Sequence, residues 1–175
     1  MTTVAATAHV AHAHHDDRSF VRKYIFSTDH KIIGIQFLFV SLFFLLVGGV
    51  LAMQMRWQLG FPGQAMPGGR RLPESMVSDG VLLPEYYIQL VTMHGTLMVF
   101  FVVSLALVSG FGNFIIPLQI GARDMAYPVL NMLSYWTVVP GCVLMLASFF
   151  VPDGAAAAGW TAYPPLSALP EAIPG

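Results

Sequence analysis

Three long apolar runs constrain this chain more than any other feature. Ile32 to Met55, IIGIQFLFVSLFFLLVGGVLAMQM, contains no charged residue. A second uncharged run extends from about Tyr86 to Ile116, and a third from about Val129 to Val151. A hydrocarbon core of about 30 Å needs about 20 helical residues to cross it, and each run is long enough. Only helices or closed barrels satisfy every backbone polar group in lipid, and runs of this length read as helices. The expected fold class is therefore all-α, a polytopic transmembrane helix bundle with spans at about 32–55, 86–116 and 129–151. Composition agrees: 56% of the 175 residues are hydrophobic, 10% are charged, and the mean hydropathy is +0.68.

The connectors are equally distinct. Residues 1–28 form a polar, Ala/His-rich tail expected to be disordered. Arg56 to Pro84 is rich in Gly and Pro, Pro117 to Pro128 (PLQIGARDMAYP) reads as a short turn, and residues 152–175 form an Ala/Pro-rich loop. Three spans put the tail and the Pro117 turn on one side. Arg18, Arg22, Lys23, Lys31 and Arg123 fall there, against Arg56, Arg70 and Arg71 opposite, which favours a cytoplasmic N-terminus. The first run is too long and comes too late for a signal peptide. A formal net charge of −1 gives no reason to expect nucleic acid. The single cysteine, Cys142, lies inside the third run, reads as a small buried hydrophobe and forms no internal disulfide. Pro140 is expected to kink the third span.

One residue in the second run stands out. In LVTMHGTLMVFF, His94 lies about 12 Å along the helix from its start, well inside the bilayer. An ionisable residue at that depth is a functional candidate by default. Position alone leaves two readings open: an imidazole that hydrogen-bonds a neighbouring helix, or an axial ligand of a haem, whose potential an apolar setting would tune. Gly95, Gly110 and Gly112 allow a flat ring or another backbone to approach, and tight helix packing explains them equally well.

An ordered set of motifs separates these readings. TMHGTLMVFF, then GFGNFIIPLQIGARDMAYPVLNMLSYW, LASFF and GWTAYPPL resemble the second and third transmembrane helices of subunit I of the haem–copper cytochrome oxidases. STDHKIIGIQFL and MRWQLGFPG resemble the first helix of that family and its exit. The resemblance covers about Tyr24 to Leu166 and implies the N-terminal portion of subunit I, three spans of about twelve. It implies that His94 is an axial ligand of the low-spin haem, a haem of the a type. The second axial histidine, the high-spin haem and the copper belong, by the same resemblance, to later helices, and this chain offers no candidate ligand for them. Of the other histidines, His9, His12, His14 and His15 lie in the tail, where they could hold a divalent metal adventitiously, and His30 has a structural or interfacial reading at the membrane edge.

The resemblance extends to other positions. Arg56 would hydrogen-bond the haem periphery; a snorkelling interfacial anchor is the alternative. Gln58 stands where the family often has a glutamate that helps bind a calcium or sodium ion, and the sequence leaves open whether an ion binds there. Asp124, beside Arg123, matches the mouth of a proton-conducting channel, with Asn113 and Asn131 matching its narrow lining; a solvated surface aspartate is the alternative. Trp160 and Tyr163 in GWTAYPPL read as aromatic-belt anchors. The implied enzyme takes electrons from cytochrome c, works with oxidase subunits II and III in a bacterial-type inner membrane, reduces dioxygen to water and moves protons outward. The alternatives are subunit I of a quinol oxidase and a non-catalytic membrane fragment, and the chain alone is not expected to be active.

Overall fold

The computed structural model describes residues 19–152 and 154–169; the tail histidines His9, His12, His14 and His15 lie outside them. Three helices in it are long and apolar enough to cross a membrane: His30–Gly60, Pro84–Gln119 and Pro128–Phe150. Each is longer than its apolar run or shifted from it.

The first helix starts where the sequence provides a cap. Asp29 is extended, and its carboxylate accepts the Lys31 N–H at 2.8 Å. The buried Ser27 hydroxyl accepts the Asp29 N–H at 3.2 Å. The helix then runs past Arg56 to Gly60. Ahead of it, residues expected to be disordered are folded: Val21–Ile25 makes one wide helical turn, and Gln36 and Trp136 donate side-chain N–H groups to the Tyr24 and Ile25 carbonyls. Phe26 stacks on Trp136 at 4.8 Å between centroids.

The connector after the first helix is more than a loop. Val77–Ser78 and Val81–Leu82 form a small antiparallel hairpin around Asp79 and Gly80. Both turn residues have positive φ, 51° and 85°, as a two-residue turn of this kind requires, and Asp-Gly is the preferred pair for it. Met66, Met76, Val77 and Leu82 bury their side chains in one apolar cluster with Leu51, Tyr86 and Leu90 of the helices.

The second helix opens with Pro84 at its first position and is α-helical to Thr96. Leu97–Phe111 closes i→i+5 bonds, and Gly112–Gln119 returns to α geometry. Pro117 lies inside this last stretch and is fully buried, so the expected turn begins later, around Ile120 and Gly121 (φ 71°). The third helix has Pro128 in its first turn and continues through Pro140 to Ala147 before a tighter turn at Ser148–Phe150.

The first two helices are antiparallel along their full length. His30 meets Asn113, Gly34 meets Gly110, Phe44 meets Phe101 and Gly48 meets His94. In lipid such association rests on close packing and interhelical hydrogen bonds, with no hydrophobic drive between helices. Ile33, Phe37 and Leu105 form a second apolar cluster nearer the chain's N-terminal side, against Met132 and Tyr135 of the third helix.

Candidate functional site

The residues singled out in the sequence fall into two groups at different depths. Gly48 and His30 are 18 residues apart on the first helix, about 27 Å at the α-helical rise. His94 joins the first level, and Asn113 and Asp124 join the second.

At the His94 level, the imidazole Nδ1 lies 3.0 Å from the Gly48 carbonyl oxygen. A carbonyl only accepts, so Nδ1 is the donor and the lone pair of the neutral ring sits on Nε2. Among the described residues nothing bonds to Nε2. A fixed Nδ1–H and an unengaged Nε2 is the arrangement that orients a metal-ligating histidine. Glycine at position 48 makes room for Met98 beside the ring: a Cβ there would stand 2.6 Å from the Met98 sulfur but an ordinary 3.8 Å from His94 Nδ1. The three other glycines noted in the sequence divide. Gly110 lies under Leu38, Gly95 lies under Trp160, and Gly112 borders only its own helix. Arg56 is exposed, about 12 Å further along the first helix than Gly48, and no described residue pairs with its guanidinium. Gln58 stays within the helix, in its last turn.

The 154–160 segment lies as a strap along the second helix beside this level. The Ala155 N–H reaches Gln89 Oε1 at 3.3 Å, the Gly159 N–H reaches Thr92 Oγ1 at 3.0 Å, and Trp160 packs on Gly95 and tilts against Phe100. Gln89, Thr92 and Gly95 are spaced by three and so share a helix face. Sequence reasoning missed Gln89 and Thr92, which are 7% and 3% exposed; two polar side chains inside an otherwise apolar run were the signal that could have found them.

At the other level, Asp124 is exposed, yet its carboxylate is engaged. Oδ1 accepts the His30 N–H at 3.3 Å and the Met125 N–H at 2.7 Å. A negative group is thereby held at the N-terminus of the first helix, where the helix dipole favours it. Asn113 is 8% exposed; its Nδ2 donates to the Ser109 carbonyl at 2.7 Å, and its Oδ1 is buried without a protein partner. Asn131, in the first turns of the third helix, has a buried Nδ2 likewise unpartnered. Buried polar atoms are nearly always bonded, to protein or to water, so these two amide atoms each call for a partner that the described residues do not supply. The structure links Asp124, His30 and Asn113 by hydrogen bonds; no described bond joins Asn131 to them. The third orphan, Trp57 Nε1, lies far from this group along the first helix. Among the described residues no cluster of His, Cys, Asp or Glu could hold a metal ion by itself.

Comparisons with known proteins point in one direction. The family model described as cytochrome C and quinol oxidase polypeptide I matches residues 32–174. The chain is 41% identical over 152 residues to an alternative cytochrome c oxidase subunit 1 of Bradyrhizobium diazoefficiens, covering 87% of this chain and 23% of that protein. It is 42% identical over 157 residues to cytochrome c oxidase subunit 1 of a Synechocystis species, covering 90% and 25%. With that of Thermostichus vulcanus the identity is 43% over 146 residues, covering 83% and 23%. The chain spans about a quarter of the length of the curated relatives it matches.

Proposed function

Because the chain belongs to the cytochrome c and quinol oxidase polypeptide I family, we propose that it is the part of a terminal-oxidase subunit I that binds the low-spin haem and admits protons from the cytoplasmic side. The observation that carries this reading is His94: Nδ1 is committed to the Gly48 carbonyl and Nε2 is left to bind iron. The donor chemistry fits such a group: the neutral imidazole keeps its free lone pair on Nε2, among apolar side chains of the helix pair such as Phe44, Met93 and Leu97. The bound haem, of the a type, would carry one electron at a time toward a haem–copper centre contributed by other parts of the subunit. This chain's own residues hold and orient. Gly48 fixes the ring, Met98 packs beside it, and Arg56 would offer a cation to the periphery of the bound group.

At the other level Asp124 collects protons, and water held by Asn113 Oδ1 and Asn131 Nδ2 passes them inward. An amide cannot titrate at neutral pH, so the two asparagines orient water and leave the proton to it. The five-to-three distribution of basic residues supports a cytoplasmic N-terminus in a bacterial-type inner membrane, with the 61–83 and 151–169 loops outside. The complete enzyme would take electrons from cytochrome c, assemble with subunits II and III, and reduce dioxygen to water while moving protons outward. A quinol donor would use the same two levels, and the family description itself covers both.

The test is His94→Ala in the full-length enzyme. The low-spin haem band and oxygen consumption are both expected to disappear. A native six-coordinate spectrum in the variant would remove His94 from the ligand set.

A further inference from the structure

We propose that His30 is a positioning residue of the proton mouth: it supplies the hydrogen bond that Pro117 withholds from Asn113, and so holds Asn113 and Asp124 in register. This rests on the proton-uptake reading above and adds a residue to it.

The argument begins with the proline. In an α-helix the carbonyl of residue 113 accepts the N–H of residue 117, and residue 117 is a proline inside the Gly112–Gln119 stretch. The Asn113 carbonyl is therefore deprived of its helical donor while Asn113 itself is buried. A freed carbonyl at membrane depth costs free energy unless a neighbouring helix satisfies it. The first helix does so. His30, 1% exposed, places Nδ1 2.9 Å from the Asn113 carbonyl oxygen. The carbonyl only accepts, so Nδ1 carries the proton.

The same residue holds the other end of the mouth. Its backbone N–H donates to Asp124 Oδ1. Apart from its backbone N–H, Asn113 is then fixed at two of its three remaining polar sites, the carbonyl by His30 and Nδ2 by the Ser109 carbonyl, and Oδ1 remains for water. Removing the imidazole would unfasten the inner end of the second helix from the start of the first, and with it the alignment of Asn113 and Asp124. The role needs a donor at the Nδ1 position and no change of charge. Asparagine places its Nδ2 close to where histidine carries Nδ1, and cannot titrate.

The experiment follows proton uptake by the complete, assembled oxidase with a pH dye during reoxidation. It compares wild type with His30→Leu, His30→Asn, the double variant His30→Leu/Pro117→Ala, and Asp124→Asn. Loss of a buried hydrogen bond that leaves its acceptor orphaned is expected to slow uptake about tenfold in His30→Leu, with the haem spectrum unchanged. His30→Asn is expected within about threefold of wild type. In the double variant the backbone N–H restored at position 117 can close the helical bond, and uptake is expected to recover. Wild-type uptake in His30→Leu would overturn the proposal, and so would His30→Asn as slow as His30→Leu, which would make the imidazole a proton carrier. If His30→Leu fails to assemble, His30→Asn decides alone: uptake within about threefold supports the proposal and slower uptake overturns it. Asp124→Asn keeps the two failures apart, because normal uptake in that variant would sink the proton-mouth reading itself.

Discussion

At Asp124 the charge and the hydrogen bonds can be separated by one substitution. Asparagine keeps an Oδ1 that can accept from the His30 and Met125 N–H groups, so Asp124→Asn preserves the local structure and removes only the ionisable group. The helix-dipole contribution lost is about 0.3–1 kcal/mol. A surface aspartate would show nothing more. A proton collector would cut turnover by at least about tenfold, since a positioned proton donor contributes on the order of 10²–10⁴. The expected outcome in the complete enzyme is a normal haem spectrum, severely slowed oxygen uptake and no proton release from sealed vesicles. Oxygen electrode and pH traces on the same vesicles check it, and unchanged turnover would return Asp124 to a capping role. Gly48 allows a second prediction. In Gly48→Ala the new methyl meets the flexible Met98 thioether and stays 3.8 Å from His94 Nδ1, so the haem spectrum should survive. Gly48→Leu needs the space the imidazole fills; overpacking costs about 1–3 kcal/mol, and the low-spin band should be lost.

At the scale of elements, the strap over the second helix is held by two side chains, and its release can be measured. Thr92→Val removes the acceptor of the Gly159 N–H, and Gln89→Leu removes that of the Ala155 N–H. Each orphaned N–H that must find water costs about 1–3 kcal/mol. The double variant should expose residues 154–160 to protease added on that side of the membrane, while the three helices stay protected; an unchanged digestion pattern would contradict this. This strap also marks the limit of what the sequence reveals. The spans were legible because apolar length alone decides them, and His94 because an ionisable residue in such a run is conspicuous. Their ends were not. Pro117 reads as a helix stop, yet the helix passes it because His30, 83 residues away, satisfies the carbonyl it frees. The hairpin carried a readable Asp-Gly signal at Asp79–Gly80 that was overshadowed by the prolines around it. Past Leu97 the i→i+5 turns take in an extra residue each, so faces counted from His94 at 3.6 residues per turn lose their register. The partners Gly48 and Asn113 come from helix pairing, which no local pattern encodes.

Taken whole, the molecule leaves most of its apolar surface without protein contact. In an 18-residue apolar stretch of each span, 28%, 17% and 6% of the residues are buried inside the chain, in order, so the third helix depends most on lipid or on other helices. The two described histidines cannot share one haem. His30 is engaged with Asn113 and lies about 27 Å from the Gly48 level at which His94 stands, several times the separation of two axial nitrogens on one iron. A bis-imidazole haem therefore needs a second imidazole from beyond the described residues. The 175-residue chain, purified in detergent and titrated with haem, is expected to yield a spectrum without the sharp six-coordinate low-spin band, and no oxygen reduction above free haem. Adding imidazole should convert that spectrum toward the low-spin form in the wild-type chain and much less in His94→Ala, because only the former supplies the protein-held ligand. A low-spin bis-imidazole spectrum from the unsupplemented chain would mean that two of its own histidines reach one iron; if it persisted with His9, His12, His14 and His15 all changed to Ala, the pair would be His30 and His94 and the separation of the two levels along the first helix would be wrong.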